Sequence, residues 1–325
     1  MIRIFHPQFD QFEGGLVTGY EKKTPWLILD CPYLCHRAWH ALGDSLTFDD
    51  LPIAATYGFL QDVLRLQSEF DTRRLVFAFD AGLGPRLELL PTYKSSRQKA
   101  KEADTEEQQQ ARKNFYLQIR RLREQYLSQA GFRNVLWQDG READDVIASV
   151  AKSSLKEDDT AIIVSSDHDL WQCINSQVSV YNPQTKHLID REVFLAKWEI
   201  DPALWSSVKA LAGCTADDVP GIRGIGELTA AKYYQGKLKP ESVAHKKIVG
   251  EGVEVYARNI KLVRLPFAGT EVFELKADDA TQEKWNSLAD RLGMQSLKDQ
   301  APGMPKGVRK SGDPAVKRKQ VGFGF

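Results

Sequence analysis

Three short apolar runs in this sequence lead into an aspartate. Asp30 follows Trp26–Leu29 (WLIL), Asp80 follows Leu75–Phe79 (LVFAF), and Asp167 comes two serines after Ala161–Val164 (AIIV). Runs of this length are strand-sized, and near-continuous apolarity marks strands buried on both faces of a parallel sheet. Val135–Trp137 and Val178–Tyr181 supply two further runs, and helical patterns lie between them at Tyr57–Phe70, Glu142–Ala151 and Asp169–Ile174. Strands alternating with helices predict an α/β fold, a mostly parallel sheet flanked by helices. Ligands of such sheets sit beyond the carboxyl ends of the strands. A helix cap explains one aspartate there. Three together point to a site.

Composition sets the outer bounds. Over 325 residues, 44 Lys and Arg balance 44 Asp and Glu, so the global charge favours no acidic or basic partner. With 27% charged and 42% hydrophobic residues, the chain is not wholly disordered, collagen-like or a disulfide-stapled miniprotein. Cys31, Cys35, Cys173 and Cys214 form no C-x-x-C and no zinc pattern, and read as reduced thiols. No run approaches the roughly 18 apolar residues of a membrane span. The opening residues lack a signal-peptide layout. The expectation is a cytoplasmic protein without a membrane partner.

Charge and glycine patterns divide the chain. Residues 1–24 read as a loosely attached extension. Within 83–130, the stretch Arg86–Tyr126 holds ten basic residues against six acidic ones, and KEADTEEQQQARKN has almost nothing to bury. That predicts a solvated helical excursion from the sheet. The strand-bearing core spans 25–202, and helical patterns dominate 203–300. Residues 301–325 combine three prolines, five glycines and six basic residues with one aspartate, a disordered basic tail.

The acids concentrate at predicted element edges. GREADDV supplies Glu142, Asp144 and Asp145, SSDHD supplies Asp167 and Asp169, and GCTADDVPGI supplies Asp217 and Asp218. By helical spacing Glu142 and Asp145 share a face while Asp144 points elsewhere. Asp30, Asp80, Glu142, Asp144, Asp145, Asp167, Asp169 and Asp217 form the candidate metal set. Like charges ~4 Å apart repel by several kcal/mol, so convergence demands protonation or hard cations. Oxygen ligands select Mg2+ or Mn2+, and an ion pair about 4 Å apart suits phosphodiester hydrolysis. His168 lies between two of the aspartates and is expected to point away from them.

Val219–Lys232 (VPGIRGIGELTAAK) places Gly221, Gly224 and Gly226 in a tight turn entering a helix, with Thr229 and Lys232 behind it. Exposed N–H groups at a helix start bind anions, and this pattern is a helix–hairpin–helix signature that grips a nucleic-acid backbone without reading bases.

Taken in order, LILDCPYLCHRAWHA, FDAGLGPRLELLPTYKSSR, GREADDVIA, SSDHDLWQ and LAGCTADDVPGIRGIGELTAAK resemble the flap endonuclease/5′–3′ exonuclease family over roughly residues 25–235. The resemblance implies a PIN-like core, a helical arch, and a helix–hairpin–helix (H3TH) region that binds duplex DNA and a K+ ion. It implies two Mg2+ ions, with Mn2+ as substitute, and catalytic roles for Lys94, Arg97, Asp30 and Asp80. Lys94 and Arg97 would contact the scissile phosphate at the base of the arch. Arg37, Arg86, Tyr93, Gly224, Gly226, Thr229 and Lys232 complete the implied DNA-binding set, with Tyr93 either stacking on a base or packing. One departure stands out. Where the family has G-D-x-x-D, this chain has Gly213, Cys214, Thr215, Ala216 and Asp217. Thiols are poor Mg2+ ligands, so weaker occupancy of the second ion, or compensation by Asp218 or water, is expected.

The resulting expectation is a stand-alone, monomeric 5′ nuclease acting on 5′ flaps, 5′ ends or RNA–DNA duplexes in replication or repair. The alternative is a branched-DNA-binding member that cuts poorly because of Cys214. A toprim-type enzyme leaves GREADD and the glycine turn unexplained. A haloacid-dehalogenase phosphatase would need D-x-D after its first strand, where Pro32 stands instead. The terminal QVGFGF reads either as a docking peptide for a sliding clamp or single-strand-binding protein, or as untethered basic tail.

Overall fold

A computed structural model describes residues 23–43 and 46–300. The sheet strands are β1 (Trp26–Asp30), β2 (Leu75–Ala78), β3 (Val135–Leu136), β4 (Ala161–Val164), β5 (Val178–Asn182) and β6 (His187–Ile189). Their spatial order is β3-β2-β1-β4-β5-β6. The first five are parallel, and β6 is antiparallel to β5. The apolar runs thus become strands to within one residue at each end. The edge strand β6, only three residues long and opening on His187, carried no apolar run long enough to announce it.

Alternation along the central strands divides the core between the two faces of the sheet. Leu27, Leu29, Leu75 and Phe77 pack on one face with Phe59, Phe115 and Trp285. Ile28, Val76, Ala161 and Ile163 pack on the other with Val146, Trp171 and Trp205. Full burial of one such side chain is worth about 1.5–3 kcal/mol, so these faces fix the register of the strands.

The principal helices are α1 (Cys31–Leu42), α2 (Ala54–Phe70), α3 (Gly84–Leu89), α4 (Ser95–Glu102), α5 (Glu106–Arg121), α6 (Ala143–Ser149), α7 (Arg191–Trp198), α8 (Trp205–Ala212), α9 (Glu227–Tyr234), α10 (Val243–Val249), α11 (Gly252–Val263) and α12 (Gln282–Arg291). The expected helix at Asp169–Ile174 is a 3-10 turn, His168–Cys173. The stretch 83–130 is helical, but only its middle, α4 and the first turns of α5, stays solvated. Phe115, Leu122, Tyr126 and Leu127 return to the core, where the Phe115 ring stacks on Trp39 with centroids 4.7 Å apart.

Residues 203–300 do not form one packing unit. α8, α9 and α11 pack together, and Trp205 ties α8 to the sheet. Its indole N–H donates to the His168 carbonyl at 2.8 Å, and its ring lies 5.1 Å from that of Trp171. α12 instead joins the α2/α5 face through Trp285 and Leu288. Of the 1–24 extension only Lys23 and Thr24 are described, and they are tied down: Lys23 pairs with Asp158 at 2.6 Å. The rest of that segment and the 301–325 tail, with QVGFGF, lie outside the described residues. No helix among the described residues is long and apolar enough to cross a membrane.

Between α8 and α9 the chain makes a small hairpin, Gly213–Cys214 against Val219–Pro220. Gly213 has φ +76°, and a Cβ there would lie 2.3 Å from the Gly221 nitrogen. Only a residue without a side chain fits. Gly213→Ala is expected to destabilise the protein by at least ~3 kcal/mol, measured as a lower urea midpoint with unchanged slope.

Candidate active site

Parallel strands bring their carboxyl ends to one edge of the sheet, and the acids follow from that register. Asp30 closes β1 opposite Ala78 of β2, so Asp80 emerges beside it. Leu29 pairs with Val164, which places Ser165 next to Asp30, and the Ser165 hydroxyl donates to Asp30 Oδ2 at 2.7 Å. Asp30 Oδ1 accepts the Tyr33 N–H at 3.1 Å and so caps α1. Asp167 begins the His168–Cys173 turn, its Oδ1 accepting the Asp169 N–H at 2.8 Å. Asp80 Oδ1 accepts the Ala143 N–H at 2.7 Å, setting a carboxylate at the positive end of α6.

These carboxylates act on one another. Burial, then the Asp80 and Asp167 charges, push the Asp30 pKa up to about 7 against hydrogen bonds that lower it. Burial, followed by Asp167, Asp30 and Glu142, raises Asp144 well above its ordinary value. Burial and Asp167 push Asp169 up to about 6, with Lys209 opposing. Asp80 is raised by its close-packed surroundings and by Glu142, although its outer edge reaches solvent.

Cations line the same basin. Lys94 takes φ +56°, uncommon for a lysine, and its N–H donates to the Asp217 carbonyl at 2.9 Å. Its ammonium bonds to Glu142 and lies 3.6 Å from Asp217. Arg97 donates to Asp217 Oδ1 at 2.8 Å. Tyr93 is buried, and its hydroxyl donates to Glu142 Oε2 at 2.8 Å, so it packs here and offers no free ring to a base.

Asp30, Asp80, Glu142, Asp144, Asp167, Asp169 and Asp217 therefore meet in one basin. The eighth acid does not. Asp145 is fully buried, receives Arg86 at 2.5 and 2.8 Å, and accepts the Phe267 N–H at 2.8 Å. It is a structural anchor, which corrects its reading as a metal ligand. Asp144, expected to point elsewhere, is the member of that pair that faces the basin. Arg86 is corrected for the same reason: it is 3% exposed, and its Nε donates to the Leu262 carbonyl at 3.2 Å, leaving no face for DNA. Arg37 is bonded to Asp62 and to the Pro183 carbonyl, in a cleft between α1 and α2. Asp218 does not compensate for Cys214, because its carboxylate accepts the Ser96 N–H at 2.8 Å and the Ser96 hydroxyl at the start of α4. His168 stacks on Trp171 with ring centroids 3.9 Å apart.

One member of the site, Lys209, belongs to no motif of the sequence, and another, Cys214, stands where an acid is expected. Lys209 donates to Glu227 at 3.0 Å and lies 2.9 Å from Asp169 Oδ1. Its signal was that it is the one charge in the otherwise uncharged run WSSVKALA. Cys214 was noticed as a missing acid, yet its sulfur stands with the acids: donor atoms of Asp169, Cys214 and Asp217 all lie within 4.8 Å of one another. Burial, then Asp217 and Asp169, push the thiol up to about 11. The oxygen donors fit hard divalent cations.

The glycine turn stands beside this corner. Gly224 has φ +84°, Gly226 caps α9, and positions where Cβ atoms would stand on either face open space. Thr229 N–H bonds to the Gly226 carbonyl at 3.0 Å, and Lys232 is exposed one turn on.

A family model described as 5′-3′ exonuclease, N-terminal resolvase-like domain, matches residues 25–199. The thermostable DNA polymerase I of Thermus thermophilus is 32% identical over 240 residues, 70% of this chain and 27% of that protein. The chain thus spans about a quarter of the polymerase's length. A 5′-3′ exonuclease of Mycoplasmopsis pulmonis is 31% identical over 209 residues, 63% of this chain and 64% of that one. Among solved structures, the bacteriophage T5 flap endonuclease in a pseudo-enzyme-product complex with DNA and metal ions has a TM-score of 0.63 at 22% identity. The match covers 74% of this chain and 89% of that one. The T5 5′-exonuclease bound to zinc has a TM-score of 0.62 at 23% identity, over 74% of this chain and 90% of that one. These likenesses carry the fold.

Two variants test the electrostatics. Arg86→Met leaves Asp145 buried and unpaired, and is expected to lower unfolding free energy by about 3–5 kcal/mol. The salt dependence of DNA binding should not change, whereas a phosphate-contacting arginine would alter it. Asp30→Asn tests the raised pKa. A carboxyl raised from 3.8 to about 7 holds its proton in the folded state and loses it in the unfolded chain across that window, so stability falls as pH rises through it. In chelator, Asp30→Asn should gain roughly 1–3 kcal/mol at pH 8 and little at pH 4, by urea denaturation.

Proposed function

Because the chain belongs to the 5′–3′ exonuclease family, we propose that its acid basin hydrolyses phosphodiester bonds near the junction of a free 5′ strand and duplex DNA or RNA–DNA. The observation that carries this reading is the meeting of seven carboxylates with Lys94 and Arg97 at the carboxyl edge of the sheet. Two Mg2+ ions, with Mn2+ as substitute, would be held by Asp30, Asp80, Glu142, Asp144, Asp167, Asp169 and Asp217. When bound, such a pair supplies an activated water and charge neutralisation at the leaving oxygen.

The chain's own groups do the rest. Lys94 and Arg97 rest on carboxylates that cations would neutralise, so both are placed to turn toward a scissile phosphate and to stabilise charge developing there. Tyr93 holds Glu142 in its rotamer from behind. The open turn at Gly224 and Gly226, with Thr229 and Lys232, would receive the duplex backbone and a K+ ion as a helix–hairpin–helix. α4 and α5 would form the arch over a single 5′ strand, with Lys99 and Lys101 on the α4 side. We place the enzyme in the cytoplasm as a monomer acting in replication or repair. Cys214 changes one corner of the basin and leaves the remaining acids in place, which does not favour a binding-only protein.

Product mapping on a 5′-labelled flap tests the reading: mononucleotides mean exonuclease action, one longer fragment means incision at the junction, and no product with Mg2+ or Mn2+ sinks it. Lys94→Ala should lower turnover by at least ~100-fold with little loss of DNA affinity. Lys232→Ala should do the reverse, weakening binding and reducing its salt slope by about one.

A further inference from the structure

The acid basin has one corner whose chemistry differs from the rest. Asp169, Cys214 and Asp217 offer two carboxylate oxygens and a sulfur within 4.8 Å of one another, close enough to share one ion. The other donors of the basin are all oxygens. Cys214 is also the only one of the four cysteines that is not buried. Asp169 Oδ1 is itself buried. Lys209 Nζ lies 2.9 Å from it and also donates to Glu227 at 3.0 Å, so one ammonium serves both carboxylates. A buried carboxylate oxygen held by a lysine ammonium, facing a thiol and a second carboxylate, stands where a metal ion would take the place of that ammonium.

The hairpin makes this arrangement rigid. Gly213 and Gly221 lock their backbones together, and Cys214 pairs with Val219 in the two-residue ladder. The sulfur is therefore carried on a fixed strand, and Asp217 on the short turn that follows. Mg2+ demands oxygen and holds its waters, whereas sulfur and imidazole donors favour borderline ions. Zn2+ binds thiolate at about 2.3 Å and tolerates low coordination numbers.

We propose that Asp169, Cys214 and Asp217 form a thiophilic cation site that takes a Zn2+-class ion in preference to Mg2+. The nuclease basin would then carry two chemically different metal positions. This rests on the reading that the basin binds divalent cations. It goes beyond that reading in assigning one corner a different metal preference, set by a single sulfur.

Co2+ serves as the optical stand-in for Zn2+, added to the full-length chain in thiol-free buffer. The expected result is a sulfur-to-metal charge-transfer band in the near ultraviolet, one equivalent in amplitude, resistant to excess Mg2+ and bleached by Zn2+. Cys214→Ser should abolish the band while circular dichroism shows the fold retained, and Cys173→Ser should keep it. Cys214→Asp should replace the sulfur with oxygen and lower the Zn2+ over Mg2+ preference by roughly 100-fold in competition calorimetry. Stoichiometric Co2+ binding without a sulfur band, displaced by Mg2+, would overturn the proposal and leave the nuclease reading intact. A band that survives Cys214→Ser overturns it as well. No binding of Co2+, Mn2+ or Mg2+ at all removes both readings.

Discussion

Mutual repulsion among seven carboxylates is the constraint that the rest of this structure answers to. No single helix or strand could hold so many acids together, because each would relax by turning into solvent. Here they are fixed from independent directions: Asp30 on the end of β1, Asp80 against the first N–H of α6, Asp167 and Asp169 on a turn held by Trp205, and Asp217 on a locked hairpin. The apolar faces of the sheet supply the stability against which this arrangement is strained. Lys94, Arg97 and Lys209 soften it from the rim, and protons complete the compensation, as the raised Asp30 and Asp169 pKa values indicate. Such local frustration is the usual signature of a functional site.

Two kinds of ion pair coexist within a few residues and do different work. Arg86 and Asp145 are buried and bidentate, and the pair acts as a rivet between α3, α6 and the Phe267 segment, with the Arg86 guanidinium also 3.3 Å from Glu142. Lys94 with Glu142, and Arg97 with Asp217, lie nearer solvent on groups that would prefer a stronger cation. The first pair fixes geometry. The second offsets the repulsion among the carboxylates of the basin.

Much of this was legible from residue order. The strands could be read because both faces of a parallel sheet are buried, which leaves an apolar run with no polar alternation. The acids could be placed because strand ends converge in such sheets. What failed was local orientation. Helical spacing paired Glu142 with Asp145, and the two do meet, in a capping box at the start of α6 and on the shared Arg86, but spacing did not tell that Asp144 takes the place facing the other acids. Arg86 could not be told from a DNA-binding arginine, since only its enclosure by Asp145 and Phe267 decides the matter. β6 stayed hidden because an edge strand needs no apolar run. Lys209 and Cys214 were visible only as oddities, a charge among uncharged residues and a thiol in an acid's place.

The hairpin between α8 and α9 gives the molecule a measuring property. Cys214 and Asp217 stand within it and the open glycines 224 and 226 follow its second strand, with a backbone clasp between them that has no room to give. Under the proposed function, the point where duplex is seated and the point where the strand is severed are separated by a fixed span of polypeptide. Cut position would then be dictated by protein dimensions, indifferent to base order, as a gauge block sets a saw.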